Sequence, residues 1–155
     1  MPVREINIRG LAEFQRELRR AGAGFPRELR RLNLDAAQMV VTETEKRGRA
    51  LGGVHAKTVR AGAFKARAEQ RRAKVVIDAS TKRNAFAFGA EFGSKRYHQF
   101  PAWRGNQWLP DAGGVGYMLH PAVRETRDEI IDIYAELITQ LARRAFPDGA
   151  SPDTQ

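Results

Sequence analysis

Cysteine is absent from the 155 residues, and that absence excludes disulfides, thiolate metal sites and cysteine nucleophiles. Long apolar runs are missing too. No stretch approaches the ~18 residues that a membrane span needs, and the N-terminus has no apolar signal-peptide core. The expectation is a soluble protein made and used in a cytoplasm. Histidine is scarce: His55, His98 and His120 show no His-Glu-x-x-His spacing, so structural or exposed roles are expected of them before zinc ligation. Ser80 and Ser94 lie in no Gly-x-Ser-x-Gly elbow. The glycine-rich residues 111–116 lack the lysine and Ser/Thr of a phosphate loop and read as a turn. Glu91 sits among apolar residues, near Arg96 and His98. It would titrate unusually if buried, but a lone carboxylate points to a structural ion pair before acid–base chemistry. These absences lead to the expectation of no enzyme, no metal and no cofactor.

Acids are scarce where bases are dense. Residues 46–104 hold fifteen Lys/Arg against three acids (Glu69, Asp78 and Glu91), a balance of +12, and the rest of the chain balances at −3. A basic middle carried on near-neutral helices is a polarised surface that could meet nucleic acid or an acidic protein, or else a solvated face that keeps the protein soluble.

The length fits one domain, able to bury roughly two-thirds of the surface of its unfolded form. Val3, Ile6 and Ile8 alternate with polar residues, as in a short edge strand, and Leu11, Phe14, Leu18 and Ala21 follow at helical spacing. Pro26 suits the first turn of a second helix with the stripe Leu29, Leu32, Ala36 and Val40. That helix runs to about Leu51, where Gly52-Gly53 stop it, and Asn33 and Asp35 mark a place where it could break. Residues 55–68 are small and basic. Alanine disfavours strands and leaves a helix open, but the clearer strand pattern at 73–79 favours reading both as strands. Residues 80–84 form a polar turn, and Phe86-Ala-Phe-Gly-Ala-Glu-Phe92 returns as a third strand of an antiparallel meander. The outward face of this meander would carry the basic residues Lys57, Arg60, Lys65, Arg67, Arg71, Arg72 and Lys74. Residues 93–116 form a loop longer than ordinary connections. A last helix begins at Pro121 and carries Ile130, Ile131, Tyr134, Leu137, Ile138 and Leu141; Pro147 ends it, ahead of a flexible tail over 147–155. The fold class expected is α+β, a small antiparallel sheet packed against N-terminal helices and one long C-terminal helix, as a single domain over 1–146.

The long loop holds Tyr97, Phe100, Trp103 and Trp108, which are costly to leave in water. They either fold back on their own core or anchor a neighbouring subunit, since aromatics and arginines dominate interface hot spots. They sit among prolines and glycines, not on a strand face as a nucleic-acid stacking platform would place them. No helix-turn-helix, zinc finger or RNA-recognition signature accompanies them.

The order of elements, with Gly10-Leu-Ala-Glu-Phe14, the Arg49-Ala-Leu51 helix end, Phe86-Ala-Phe-Gly-Ala-Glu-Phe-Gly93 and Gly116-Tyr-Met-Leu-His-Pro-Ala-Val123, resembles the small tail-component family of long-tailed, non-contractile phages. The resemblance spans about residues 3–146. The Glu91-Phe92-Gly93 step and the aromatic approach to Pro121 are its most specific parts. Where that family commonly has a Pro-rich, Phe-Leu-containing turn, this chain reads Tyr117-Met-Leu-His-Pro121 after an enlarged Trp-containing loop. The resemblance implies a neck or tail-completion protein of the virion, assembled in the host cytoplasm. It would form a homo-oligomeric, sixfold ring that joins the tail tube or terminator to the head connector around the DNA channel. On that reading Lys95, Arg96, Tyr97, Phe100, Trp103, Arg104 and Trp108 would form the subunit or partner interface, and the basic strands would face DNA or another protein. No membrane partner is expected. The rival readings are a small basic nucleic-acid-binding module and a ribonuclease toxin.

Overall fold

The structure, a computed structural model, describes residues 16, 25–69, 71–105 and 114–145. The expected N-terminal strand lies outside the described residues, as do Trp108, the tail and the expected first helix apart from Arg16, which is helical.

Helix α1 (Phe25–Leu51) is the central element. Pro26 occupies its first turn, and Glu28 and Arg49 sit at the ends where their charges oppose the helix dipole. Ala36, Ala37, Val40, Val41 and Thr44 recur at helical spacing and are buried. The helix runs unbroken through Asn33, where weak propensity suggested a break. Tertiary bonding outweighs propensity there: Asn33 Nδ2 donates to the Glu69 carbonyl at 2.9 Å, and Oδ1 accepts from the Tyr134 hydroxyl.

The expected strand over 55–68 needs correction. Gly53–Arg60 is a helix, α2, and only Phe64–Ala68 is a strand, β1. His55, Thr58 and Val59 recur at helical spacing and are buried, and the Thr58 hydroxyl donates to the Val54 carbonyl. Of the alanines that weakened the strand reading, only Ala56 lies in this helix; Ala66 and Ala68 are in β1 after all. Strand β1 pairs antiparallel with β2 (Ala73–Ile77), Phe64 opposite Ile77 and Ala66 opposite Val75. Phe64, Ala66, Val75 and Ile77 pack on the core, while Lys65 and Arg67, in the alternate positions, are exposed. The polar turn at 80–84 forms as expected, with the buried Asn84 accepting from the Thr81 N–H and hydroxyl.

The third strand of the meander is also corrected. Ala87–Phe92 forms a short helix, α3, and among the described residues the sheet has two strands. Alternating aromatic and small residues imitate a strand over six positions. In the structure Ala87, Ala90 and Glu91 are buried at helical spacing, and Phe88 stacks with Phe92 four residues on.

Helix α4 (Leu119–Ala145) starts two residues before Pro121, which stays within the first turn, where its missing N–H has no helical partner to lose. It lies antiparallel to α1. Arg47 pairs with Glu125, Asn33 meets Tyr134, and Arg144 reaches Glu28 at 3.1 Å. The core joins Val40 and Val41 of α1, Val59 of α2, Phe64 of β1, Ala87 and Ala90 of α3, and Met118, Leu119 and Ala122 at the head of α4. The fold is α+β.

Candidate functional site

The junction between α3 and α4 is built on Glu91. Its side chain is 0% exposed, and it reaches from α3 to the start of α4. The carboxylate accepts the backbone N–H groups of Met118 (3.0 Å), Leu119 (2.8 Å) and His120 (3.0 Å), and meets His120 Nδ1 at 2.8 Å. A helix start leaves such N–H groups without intrahelical partners and carries the positive end of the dipole. A carboxylate borrowed from another element satisfies both. Gly116 has φ 75°, and a Cβ there would strike Glu91 Oε1, so the approach to the cap admits only glycine. The sequence placed Glu91 beside Arg96 and His98. Its partners are instead the head of α4 and His120, because α3 is a helix and turns position 91 inward.

The same junction organises the loop after α3. The Arg104 N–H donates to the Phe92 carbonyl, the Gly116 N–H to the Arg104 carbonyl and the Tyr117 N–H to the Glu91 carbonyl. The Tyr117 hydroxyl donates to the Ala102 carbonyl at 2.7 Å, and the Arg104 guanidinium lies 4.3 Å from the centre of the Tyr117 ring. The Ser94 hydroxyl accepts the N–H groups of Arg96 and Tyr97, which fixes the turn that presents them.

This frame sorts the predicted interface residues. Phe100 folds inward over Gly89 and beside Phe86, and Arg104 is held against Tyr117. Lys95, Arg96, Tyr97 and Trp103 point outward, with Tyr97 53% and Trp103 42% exposed. Trp103 packs against Phe92 (ring centroids 6.5 Å apart), Phe92 stacks on Phe88, and Phe92 also meets the His120 ring at 5.2 Å. Phe88, 51% exposed, completes an aromatic patch, and the exposed Lys95 and Arg96 follow Phe92 in the chain, Arg96 over the Tyr97 ring at 5.4 Å. Sequence reasoning missed Phe88 by assigning it to a strand; its four-residue spacing from Phe92 was the available signal. Comparison with protein-family models finds no match, and neither does comparison with curated proteins or with solved structures.

The basic residues divide as well. Lys65 pairs with Asp78 at 2.5 Å, and Lys74 and Arg72 both pair with Glu69. These partners hold the Asp78 and Glu69 carboxyls below the usual range, Asp78 through Lys65 and then Ser80, Glu69 through Lys74. Arg67 and Arg71 are exposed with no carboxylate partner among the described residues. Lys57 lies over the Phe86 ring, and Lys57, Arg60 and Arg83 line an open notch, with Arg83 donating to the Arg60 carbonyl. Among the described residues no group of His, Asp or Glu is arranged to hold a metal ion, and no helix is long and apolar enough to cross a membrane.

Proposed function

We propose that this protein is a structural component of a phage neck, a tail-completion or head-to-tail connector subunit that works without catalysis. It assembles as a sixfold ring and joins the tail tube or terminator to the head connector around the DNA channel. The observation that carries this reading is the exposed patch of Phe88 and Phe92 on α3 with Trp103, beside the exposed cations Lys95 and Arg96 of the following segment, whose residues 93–105 are braced by backbone hydrogen bonds. Rigid, desolvatable aromatics beside cations are the chemistry of a protein interface hot spot. Bracing of residues 93–105 also reduces the entropy cost of ordering them on contact. The resemblance of the element order to phage tail components supports the same role. A single subunit offers little adhesive area, and a ring repeats one heterologous contact until it closes.

The test is assembly in the phage that encodes the chain. Phe88→Ala with Trp103→Ala is expected to leave the subunit folded by circular dichroism, while electron microscopy finds full heads and separate tails. Joined, infectious particles at wild-type yield from that double variant would remove the role.

A further inference from the structure

The aromatic patch needs a counter-surface, and the chain carries one of matching chemistry. Where α1 and α4 meet, Asp35, Met39, Thr42 and Glu43 of α1 and Thr126 and Glu129 of α4 line an open groove of about 350 Å³. Its floor is apolar: Met39 is half-buried, and Thr126 has already spent its hydroxyl on the Ala122 carbonyl of its own helix. Its rim is acidic. Glu43 is held by Lys46 and Arg47, but Asp35 and Glu129 have no ion-pair partner among the described residues. A methionine-floored groove accepts aromatic side chains readily, and unpaired carboxylates at its edge suit Lys95 and Arg96.

One subunit cannot make this contact with itself. The patch lies over the first turn of α4, where Phe92 meets His120, and the groove uses Glu129. Nine residues separate those positions, which at ~3.6 residues per turn is two and a half turns and about 14 Å along the axis. They therefore lie on opposite sides of α4. Two patches facing each other would set Lys95 and Arg96 against their own copies, and two grooves would set carboxylate against carboxylate. Only patch on groove matches both the apolar centre and the charged rim.

We propose that the counter-surface for the aromatic patch is the α1–α4 groove of a second copy of this chain. Phe88 and Trp103 enter against Met39, and Lys95 and Arg96 meet Asp35 and Glu129. The contact is head-to-tail, so it propagates from copy to copy until it closes. The inference names the partner of the patch on which the joining role rests. An acidic groove repels phosphate, so nucleic acid is not its occupant.

The experiment uses the purified full chain in sedimentation velocity at several concentrations. Wild type associates, and added salt weakens the association because the rim is charged. Lys95→Glu with Arg96→Glu, and separately Asp35→Lys with Glu129→Lys, each weaken association by about tenfold or more, since attraction becomes repulsion at two pairs. An equimolar mixture of the two variants regains association, because each supplies the wild-type half that the other lacks. Phe88→Ala weakens association without changing its salt dependence. A wild type that stays monomeric, a variant that associates like wild type, or a mixture that fails to recover would each overturn the proposal. If the variants associate unchanged while Phe88→Ala/Trp103→Ala particles stay unjoined, the joining role stands and the groove is the wrong surface. If the charge variants behave as stated while those particles join normally, the contact stands and the joining role falls.

Discussion

At the scale of single residues, Glu91 and His55 concentrate the electrostatics of the junction. Glu91→Ala would leave three N–H groups at the head of α4 and His120 Nδ1 without their acceptor. An orphaned buried hydrogen-bonding group costs about 1–3 kcal/mol, so a loss of about 3–5 kcal/mol in unfolding free energy is expected from urea titration. Glu91→Gln keeps the volume and one accepting oxygen, so its loss is smaller than that of alanine. A loss below about 1 kcal/mol for Glu91→Ala would show that the cap is not what holds α3 to α4. His55 is buried beside the Tyr117 ring, and its Nε2 has no hydrogen-bond partner among the described residues. Burial lowers its pKa, against smaller opposing contributions from the Gly52 and Ala90 carbonyls and the Glu91 charge. The folded state therefore resists a proton that the unfolded chain accepts near its ordinary pKa of about 6.5. Stability from this source is present above that pH and is lost as pH falls below it. His55→Gln should flatten the decline in urea midpoint between neutral pH and about pH 5. The lowered carboxyls of Asp78, Glu69 and Glu125 act in a separate, more acidic window, present above about pH 4 and lost on further acidification.

At the scale of elements, the approach of α2 and the head of α4 to α1 is set at Gly48. A Cβ there would lie 2.8 Å from Met118 Sδ and closer still to Val59 Cγ2, both on buried side chains. Helix propensity alone favours Gly48→Ala by up to about 1 kcal/mol, whereas overpacking a filled core costs about 1–3 kcal/mol. Overpacking wins, and a lower melting temperature for Gly48→Ala is expected; a higher one would mean that Val59 and Met118 move aside freely. The elements themselves were unevenly legible. The two long helices could be read from their apolar period, with Pro26, Gly52 and Pro121 marking ends, and β2 from its Val-Val-Ile run. The short helices could not. Six to eight residues give too few periods to separate 3.6 from 2, and the deciding facts are tertiary: Glu91 has to face the head of α4, Val59 has to face α1, and His55 has to face the Tyr117 ring. The outward residues Tyr97, Trp103, Lys95 and Arg96 could be named from composition. Phe88 could not, because its exposure depends on α3 being helical, nor could the inward turn of Phe100 and Arg104, which the backbone bonds of the loop impose.

At the scale of the whole molecule, the question is what the +12 segment is free to do. Two of its three acids are engaged on the hairpin, Asp78 with Lys65 and Glu69 with both Arg72 and Lys74, and the third, Glu91, is consumed inside the junction. Besides Lys95 and Arg96 on the loop, the cations left to meet an outside anion are Arg67 and Arg71 at the hairpin, Lys82, and the Lys57–Arg60–Arg83 notch. Such a set supports passing contact with DNA in a channel and not tight capture. Binding to duplex DNA is therefore expected only at low ionic strength and without sequence preference, falling away before about 200 mM salt. Each phosphate contact contributes about 0.9 to the slope of log affinity against log salt. Arg67→Ala or Arg71→Ala should lower the slope by about one unit each. Lys65→Ala and Lys74→Ala should change it less, since their charges are already met by Asp78 and Glu69. Fluorescence anisotropy on a labelled duplex at several salt concentrations measures this. Sub-micromolar, sequence-selective binding at physiological salt would turn the assignment from a virion joint toward a nucleic-acid-binding module. Equal losses from paired and unpaired positions would mean that the hairpin ion pairs open to reach the backbone.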